Sequence, residues 1–560
     1  MTDQTLIPER PLRTDTFHQD PPALGNQYLE DPVLDSLLRR ILGEETLREV
    51  EPELTELGER AVTDLADLAM EAETNPPRHV PYDPWGRRID RIETSRAWDE
   101  LRRFSAERGL VATAYERSWG DRSRIVQHAL LYLYGPSSAT YLCPLAMTDG
   151  AARLLEVTPE AEEVRNRAFP RLISRNPREF WVSGQWMTER TGGSDVGRSE
   201  TVARRRDGGW SLHGSKWFTS AVKSDVAFTL ARPEGAPEGS RGLALFYLEL
   251  RDEEGRLRRI RIDRLKDKLG TDALPTAELT LDGTPAHRIG DIGEGVRRIT
   301  TLMNVTRIYN ANAAVGGMRR AVALASDYAR RRRAFGRSLI DHPLHRRTLE
   351  ILEAETALAL VLVFRAAELQ GRVETGSAGS GEEAALRLLT PLVKLFTGKQ
   401  AVRVASEALE CFGGAGYIED TDLPRLLRDA QVLPIWEGTT NVLSLDALRA
   451  ISRDDALEPF LAEIEERLGS IRESGLRSRA STLAEGLGDL EEEVRRVQDR
   501  GPAGARRLAF RLVRSLGASL LLEQTEWSRR RGGEDADRWS RALELFPATL
   551  GGRTEEPGTG

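Results

Sequence analysis

The spacing of hydrophobic residues changes period twice along this chain of 560 residues. Over residues 31–175 apolar residues recur every three or four positions, as on one face of a helix. Over residues 180–288 they alternate with polar ones, as Ile260 and Ile262 do, and glycine-containing turns separate the runs. Helical spacing returns from about residue 296. The pattern predicts a β domain of about 110 residues between two helical regions.

The predicted domains follow these changes of pattern. They are a flexible N-terminal arm (1–26), an N-terminal helical domain (27–178), a middle β domain (179–292), a C-terminal helical bundle (293–455) and a helical extension with a loose tail (456–560). The fold class is therefore mainly α with a central antiparallel β domain. Within residues 27–178 a proline-rich turn at Asn75–Arg78 is expected to interrupt helices that resume and run to about Arg175.

Composition excludes several classes of protein. Hydrophobic residues make up 40% and charged residues 30% of the chain, and no apolar run approaches the roughly 20 residues that span a bilayer. Two cysteines are too few for a disulfide scaffold or a cysteine-based zinc finger. The net charge of −8 disfavours a general coat for nucleic acid. With no apolar stretch near the N-terminus, a cytoplasmic protein without a membrane partner is expected.

Five short motifs follow one another on this layout. They are Met187–Asp195, Gly214–Ser220, Arg332–Gly336, Phe412–Tyr417 and Ile435–Asn441. Their order and spacing resemble the acyl-CoA dehydrogenase family of flavoproteins. The chain is most similar to the AidB-like, alkylation-response branch, through Asn75-Pro76-Pro77, Gly86-Arg87-Arg88, Cys143-Pro144 and the extension. The resemblance implies a helical, β and helical three-domain fold, FAD as cofactor, an acyl-CoA-type substrate, and an electron-transfer flavoprotein or another electron acceptor.

The loop that begins the β domain has the chemistry of a flavin site. Thr188 and Ser194 offer hydroxyl groups, and glycines at 192 and 193 let the backbone approach a ligand closely. An ordinary glycine-rich hairpin explains this segment equally well when it is taken alone. The resemblance implies FAD contacts at Met187, Thr188, Gly193, Ser194, Phe218, Ser220, Arg332, Phe335, Glu410, Gly413, Gly414, Thr439 and Asn441.

Several of these contacts imply an oligomer. In the family, the arginine at position 332 and the segment around Glu410 and Gly414 reach the FAD of a neighbouring subunit, so a homotetramer or dimer is expected. From the residues alone, Arg332 also fits a basic helix C-terminus, and Gly413-Gly414 fits a helix cap. Glu410 departs from the glutamine of many relatives, and Asp272 stands near the place of a family arginine.

Glu437 is the candidate catalytic base. Its neighbours Ile435, Trp436 and Gly438 give it a largely apolar setting, although an isolated glutamate in a loop is usually solvated. The resemblance implies that Glu437 removes the α-proton of an acyl thioester while the β-hydride passes to flavin N5. Other branches place the base on an earlier helix, where this chain has Thr306 followed by Arg307.

Three residues are implied to bind the substrate. They are Ser194, beside the pantetheine or phosphate part of coenzyme A, Arg307, and Trp436. Arg307 fits a surface ion pair equally well. Trp436 replaces the tyrosine of many relatives, and its indole is expected to narrow the acyl pocket against long straight chains.

Two further features lie outside these motifs. His342 and His345 lack a ligand cluster, so no metal site is expected. Residues 495–531 contain ten arginines and three acidic residues, a local balance of 10 − 3 = +7. A solvated helix face is one interpretation of that stretch. The second interpretation, suggested by the AidB-like branch, is non-specific binding of duplex DNA in a flavoprotein with weak or vestigial dehydrogenase activity.

Overall fold

The computed structural model describes residues 19–206, 208–533 and 535–545. Most of the predicted N-terminal arm and the predicted loose tail from residue 546 lie outside the described residues. The predicted fold class is confirmed: helices flank a central β domain and continue into a helical extension.

The N-terminal region is built from seven helices among the described residues. They are α1 (Pro32–Arg60), α2 (Asp64–Thr74), α3 (Arg96–Glu107), α4 (Ala112–Glu116), α5 (Ser123–Tyr134), α6 (Leu142–Glu156) and α7 (Glu162–Leu172). Side-chain oxygens of Asp31 and Ser95 accept hydrogen bonds from the first turns of α1 and α3 and so fix where these helices begin.

A β-hairpin stands where the sequence pattern predicts only helix after the proline-rich turn. Strands β1 (Arg78–Tyr82) and β2 (Arg88–Glu93) pair antiparallel. Asp83 closes the turn, because its carboxylate accepts hydrogen bonds from the backbone N–H groups of Trp85 and Arg87. The helical prediction for this segment was therefore wrong, and the aspartate-proline-tryptophan-glycine sequence was the overlooked turn signal.

The middle domain is a seven-stranded sheet that closes on itself. Its strands are β3 (Ser183–Trp186), β4 (Val202–Arg206), β5 (Gly209–Ser220), β6 (Val226–Pro233), β7 (Ala244–Glu249), β8 (Ile260–Leu265) and β9 (Thr276–Ile289). The pairing β6-β4-β5-β9-β7-β6 forms a circuit, with β3 added to β6 and β8 to β9. Most pairs are antiparallel as predicted, but β3 and β4 run parallel to β6.

Long helices make up the rest of the described chain. They are α8 (Gly295–Arg331), α9 (Pro343–Thr375), α10 (Glu382–Cys411), α11 (Leu423–Ala430), α12 (Thr440–Arg453), α13 (Leu457–Ser470), α14 (Ser474–Arg500), α15 (Ala505–Arg531) and α16 (Ala536–Leu545). A short hairpin of β10 (Arg333–Ala334) and β11 (Arg337–Ser338) follows α8.

The extension is packed onto the core. Gly517 of α15 packs closely against α9, where an added Cβ would stand 2.4 Å from Leu358 Cδ1. Trp539 of α16 is fully buried, and its indole N–H donates to Ser36 of α1 at 3.2 Å. One hydrophobic core therefore runs from α1 through the bundle into the extension.

A buried histidine makes the N-terminal region sensitive to acid. His128 of α5 is fully buried, and its Nδ1 lies 3.2 Å from the amide nitrogen of Asn312. Burial, with Arg124 acting in the same direction, lowers the pKa of His128 to about 3. The unfolded chain takes up this proton below about pH 6.5, whereas the folded chain stays neutral there.

We expect His128→Gln to remove part of the acid lability of the fold. Because the unfolded state binds the extra proton, the free energy of unfolding falls as pH drops from about 6.5 toward 3, by about 1.4 kcal/mol per pH unit for this group. Urea unfolding at pH 7.0, 6.0 and 5.0 measures the slope. His287→Gln, an exposed histidine in β9, is the matched control and should leave it unchanged.

Candidate active site

Glu437 lies on a strained turn between α11 and α12. Its φ is +56° and that of Gly438 is +107°, so two successive residues adopt left-handed backbone. This conformation is uncommon for a residue with a side chain and persists only where the surroundings hold it. We call residues 433–438 the base segment.

Helix α8 holds the base segment through three neighbouring side chains. The Thr306 hydroxyl lies 2.8 Å from Glu437 Oε2, and Arg307 Nε donates to the Glu437 carbonyl at 3.4 Å. Asn310, one turn further, donates to the carbonyl of Leu433 and accepts from the Trp436 indole at 2.7 Å. The two alternative positions for a base, 306 and 437, therefore face each other.

Arg307 is engaged within the chain. It is 6% exposed and forms a 2.8 Å ion pair with Asp446 of α12, which also pairs with Arg387 of α10. The ion pair is buried, so the interpretation as a surface ion pair was wrong, and the substrate contact expected at Arg307 stays a prediction. The guanidinium instead joins α8 to α12 behind the base segment.

The Glu437 carboxylate also meets the β domain. Gln185 of β3 donates to Glu437 Oε2 at 3.4 Å. Cys143 of α6 is half-buried nearby, and burial of its sulfur together with the Glu437 charge raises the pKa of its thiol to about 12. The thiol therefore stays protonated at neutral pH. Sequence analysis missed Gln185 and Asn310 as site residues. The position of Gln185, two residues before the first motif, was the one feature that could have identified it.

The first two motifs come together beside this carboxylate. The backbone N–H of Trp217 donates to the Thr188 carbonyl at 2.9 Å, which places Phe218 and Ser220 next to Met187 and Thr188. Phe218 is 57% exposed, an unusual position for a large apolar ring in a strand. Because Gln185 contacts Glu437 and Met187 follows Gln185 by two residues, the paired first and second motifs begin close to this carboxylate.

A buried ion pair anchors the loop that begins at Met187. The ammonium of Lys216, fully buried in β5, donates to Glu189 Oε1 at 2.7 Å, and Glu189 also accepts from the backbone N–H of Glu200 and from the Thr201 hydroxyl. Burial raises the pKa of Glu189, but Lys216 together with the hydrogen bonds from Thr201 and the Glu200 backbone lowers it, and the net shift is downward. Glu189 therefore remains charged and ties both ends of the loop together.

The donor set of this loop fits a flavin. Gly192 has a φ of +132° and open space where a Cβ would lie, whereas a Cβ at Gly193 would stand 2.6 Å from the Thr188 hydroxyl. The Ser194 side chain is exposed and Thr188 is half-buried, whereas the Ser220 hydroxyl lies 3.2 Å from that of Thr276. Hydroxyl and amide donors beside an exposed phenyl ring suit an electron-rich ring system with a polar edge.

Five of the implied cofactor residues form a second, distant cluster. Arg332 and Phe335 follow the end of α8; Glu410 lies in the last turn of α10, and Gly413 and Gly414 follow that helix. Tyr328 and Phe412 join these two ends, with ring centroids 4.9 Å apart. Phe335 is 96% exposed.

The two clusters lie too far apart for one small ligand. Thr306 and Arg332 are 26 positions apart on α8, which corresponds to about 39 Å of helix. Within one chain, therefore, the second cluster cannot reach a ligand that lies beside Glu437.

Thr439 and Asn441 lie at the start of α12, directly after the base segment. Thr439 is exposed, and the Asn441 side chain lies 3.5 Å from Arg506 of the extension. The second departure from the family pattern, Asp272, lies instead among Glu73, Asp429, Arg425 and Lys268. Burial and the charge of Asp429 raise the pKa of Glu73 to about 7.

Folding neutralises much of the basic stretch at 495–531. Arg507 and Arg511 of α15 both pair with Glu493 of α14, which the sequence count did not include. Arg529 pairs with Glu473 and Arg531 with Glu44, two further carboxylates from outside the stretch. This intramolecular pairing favours the interpretation as a solvated helix face.

The described residues contain no cluster of three or more metal-ligand side chains, and His342 instead lies 3.0 Å from the Ala334 carbonyl. Among the same residues no helix has the length and apolar character needed to cross a bilayer.

Three family models match the chain in order. Residues 19–176 match the adaptive response protein AidB N-terminal domain, residues 184–284 the acyl-CoA dehydrogenase middle domain, and residues 293–452 the acyl-CoA dehydrogenase C-terminal domain.

Similar proteins cover most of the chain. Acyl-CoA dehydrogenase family member 11 of Caenorhabditis elegans is 44% identical over 91% of this chain and 86% of its own. Putative acyl-CoA dehydrogenase AidB of Escherichia coli is 32% identical over 80% of this chain and 83% of its own. The crystal structure of the C. elegans protein ACDH-11 in complex with C11-CoA superposes with a TM-score of 0.92 at 42% identity, covering 96% of this chain and 94% of that one. The structure of the Bd2924 apo-form superposes with a TM-score of 0.84 at 50% identity, covering 91% of this chain and 100% of that one.

We expect Lys216→Met to weaken the fold strongly. It would leave the Glu189 carboxylate buried without its partner, which costs about 3–5 kcal/mol of unfolding free energy. The matched control is Lys223→Met, which breaks a half-exposed 2.8 Å pair with Asp99 and should cost less than about 1 kcal/mol. Guanidinium unfolding of both variants measures the difference, and equal losses would contradict the role given to Glu189.

Proposed function

Because the chain belongs to the acyl-CoA dehydrogenase family, we propose that it oxidises the acyl group of a coenzyme A thioester with Glu437 as the base. The observation that carries this is the position of the Glu437 carboxylate, on a strained turn beside Gln185 and the Met187–Thr188 loop. The family's cofactor is FAD, which when bound supplies the acceptor for the β-hydride.

We propose that Glu437 takes the α-proton on Oε1. Both hydrogen bonds to its carboxylate, from Thr306 and Gln185, use Oε2, which fixes the carboxylate plane and turns the other oxygen away from α8. The backbone N–H of Glu437 would bind the thioester carbonyl and stabilise the negative charge that develops there. A base next to an apolar indole and held by two donors is well oriented for this proton transfer.

FAD would be held by two copies of the chain. Met187, Thr188, Gly193, Ser194, Phe218 and Ser220 would bind its ring side, and Thr439 and Asn441 its adenine half. The distance along α8 supports contributions from Arg332, Phe335, Glu410, Gly413 and Gly414 of a neighbouring copy, because Arg332 lies about 39 Å of helix beyond Thr306, which contacts Glu437. A dimer or tetramer would then be required for a complete site, and an electron-transfer flavoprotein or another acceptor would reoxidise it.

Duplex DNA binding stays a prediction from the sequence. The arginine pairs with Glu493, Glu473 and Glu44 give it no support. A gel shift at low and physiological salt tests it directly, since binding through phosphates weakens steeply with salt.

We expect the purified protein to be yellow and its flavin absorbance to bleach when an acyl-CoA is added. Glu437→Gln should bind FAD and acyl-CoA as the native protein does but bleach about 100- to 10,000-fold more slowly, since that is the usual contribution of a general base. Stopped-flow absorbance measures the rate. A colourless, folded protein, or a Glu437→Gln variant with the native rate, would contradict the proposal.

Because positions 306 and 437 face each other, a carboxylate introduced at 306 should be able to replace the one at 437 as the base. Because the Thr306 hydroxyl lies 2.8 Å from Glu437 Oε2, we expect the double variant Thr306→Glu, Glu437→Gly to recover at least ten times the activity of Glu437→Gly alone. Steady-state assay with one acyl-CoA measures the recovery. Thr306→Glu in the native background is the control, and should be slower than native because two carboxylates would then compete for one space.

Chain length is expected to matter because of Trp436. The indole is fixed by its 2.7 Å hydrogen bond to Asn310 and cannot swing aside without losing it. We propose a medium-length acyl group, in line with the C11-CoA in the structure of the C. elegans relative. A panel from C4 to C16 should show the highest kcat/KM near C10–C12, and efficient turnover of C16 would contradict the prediction.

A further inference from the structure

A buried lysine contacts the turn that carries the base. Lys394 lies near the middle of α10, is fully buried, and donates from Nζ to the Gly438 carbonyl at 2.7 Å. One helical turn further, an added Cβ at Gly398 would stand 3.1 Å from the Leu433 carbonyl group. The same face of α10 therefore approaches both ends of the base segment and holds its last carbonyl.

Among the described residues, only one acidic side chain near Lys394 is not already paired with an arginine. Arg307 faces it from α8, Asp446 lies on α12, and Arg387 lies two turns earlier on α10. Asp446 is bound by both arginines at 2.8 Å. The acidic group in whose field Lys394 lies is therefore Glu437.

Burial is costly for this lysine. It lowers the pKa of Lys394 to about 7, with the Glu437 charge opposing the shift and Arg307 adding to it. A methionine has the same length and would fill the space without a desolvation penalty, so packing does not explain an ammonium here. Its useful properties at this position are its donor and its charge.

We infer that Lys394 is a positioning residue for the base. Its hydrogen bond fixes the Gly438 carbonyl and thereby keeps Glu437 in left-handed backbone. Without it, one of the two carbonyls at the strained turn is released, and the carboxylate can leave the position from which it reaches the α-carbon. This inference rests on the proposed role of Glu437 and names the residue that orients it.

The test compares Lys394→Met with Lys394→Arg and with Lys399→Met, a half-buried lysine on the same helix. Three properties are measured on the flavin-loaded oligomer: the limiting rate of flavin bleaching, the acyl-CoA Kd, and exchange of the substrate α-proton in D2O by NMR. Bound flavin and Tm are recorded for each variant.

We expect Lys394→Met to slow bleaching and α-proton exchange together by about 10- to 100-fold, the usual effect of losing a charged hydrogen bond. The Kd should change less than 3-fold and flavin content should be unchanged. Lys394→Arg should recover part of both rates, and Lys399→Met should equal the native protein. If Lys394→Met does not fold, Lys394→Gln, which keeps a donor without charge, should show a smaller loss of the same two rates.

Two results would overturn the inference. One is a Lys394→Met variant with native rates. The other is a rate loss matched by an equal loss of flavin content and Tm, because that pattern marks a purely structural residue. Glu437→Gln separates this from failure of the proposed function: if that variant still exchanges the α-proton, the function is wrong and the inference fails with it.

Discussion

The backbone carbonyls of the base segment are held by side chains from two helices. Asn310 and Arg307 of α8 bind those of Leu433 and Glu437, and Lys394 of α10 binds that of Gly438. A glutamate in left-handed backbone is stable only under such constraint. The geometry of Glu437 therefore depends on how α8 and α10 pack, and much of the surrounding structure serves that packing.

The same two helices, α8 and α10, also fix the helix that follows the base segment. Asp446 links α12 to both through Arg307 and Arg387, so the element that follows the base segment is fixed to the elements that hold it. On the other side, Gln185 joins the base to β3 at the start of the glycine-rich loop, and Glu189 and Lys216 close that loop. The base and the candidate flavin loop are thus each held by polar contacts, and the short chain segment from Gln185 to Glu189 joins them.

Local sequence patterns were sufficient for the fold class, whereas the roles of the candidate site residues stay predictions. The change from helical spacing to alternation located the β domain, because each period reflects one face of one element. The hairpin at 78–93 was missed because its strands are short and rich in arginine, and only the Asp83 turn distinguished it. Pairings between distant residues, such as Arg511 with Glu493, depend on helix packing and leave no trace in a local count. Lys394 is visible in the sequence as a charge inside the apolar segment from Leu392 to Phe396. Its hydrogen-bond partner, Gly438, lies 44 residues away and could not be predicted from that segment.

The length of α8 has a genetic consequence. If each cofactor site takes its ring side from one copy and its distal contacts from another, a chain damaged at Glu437 and a chain damaged at Arg332 are each inactive alone. Mixed assemblies of the two would contain some sites in which both halves are intact. Two null alleles of this gene would then restore each other when expressed together, a form of intragenic complementation that follows from the span of a single helix.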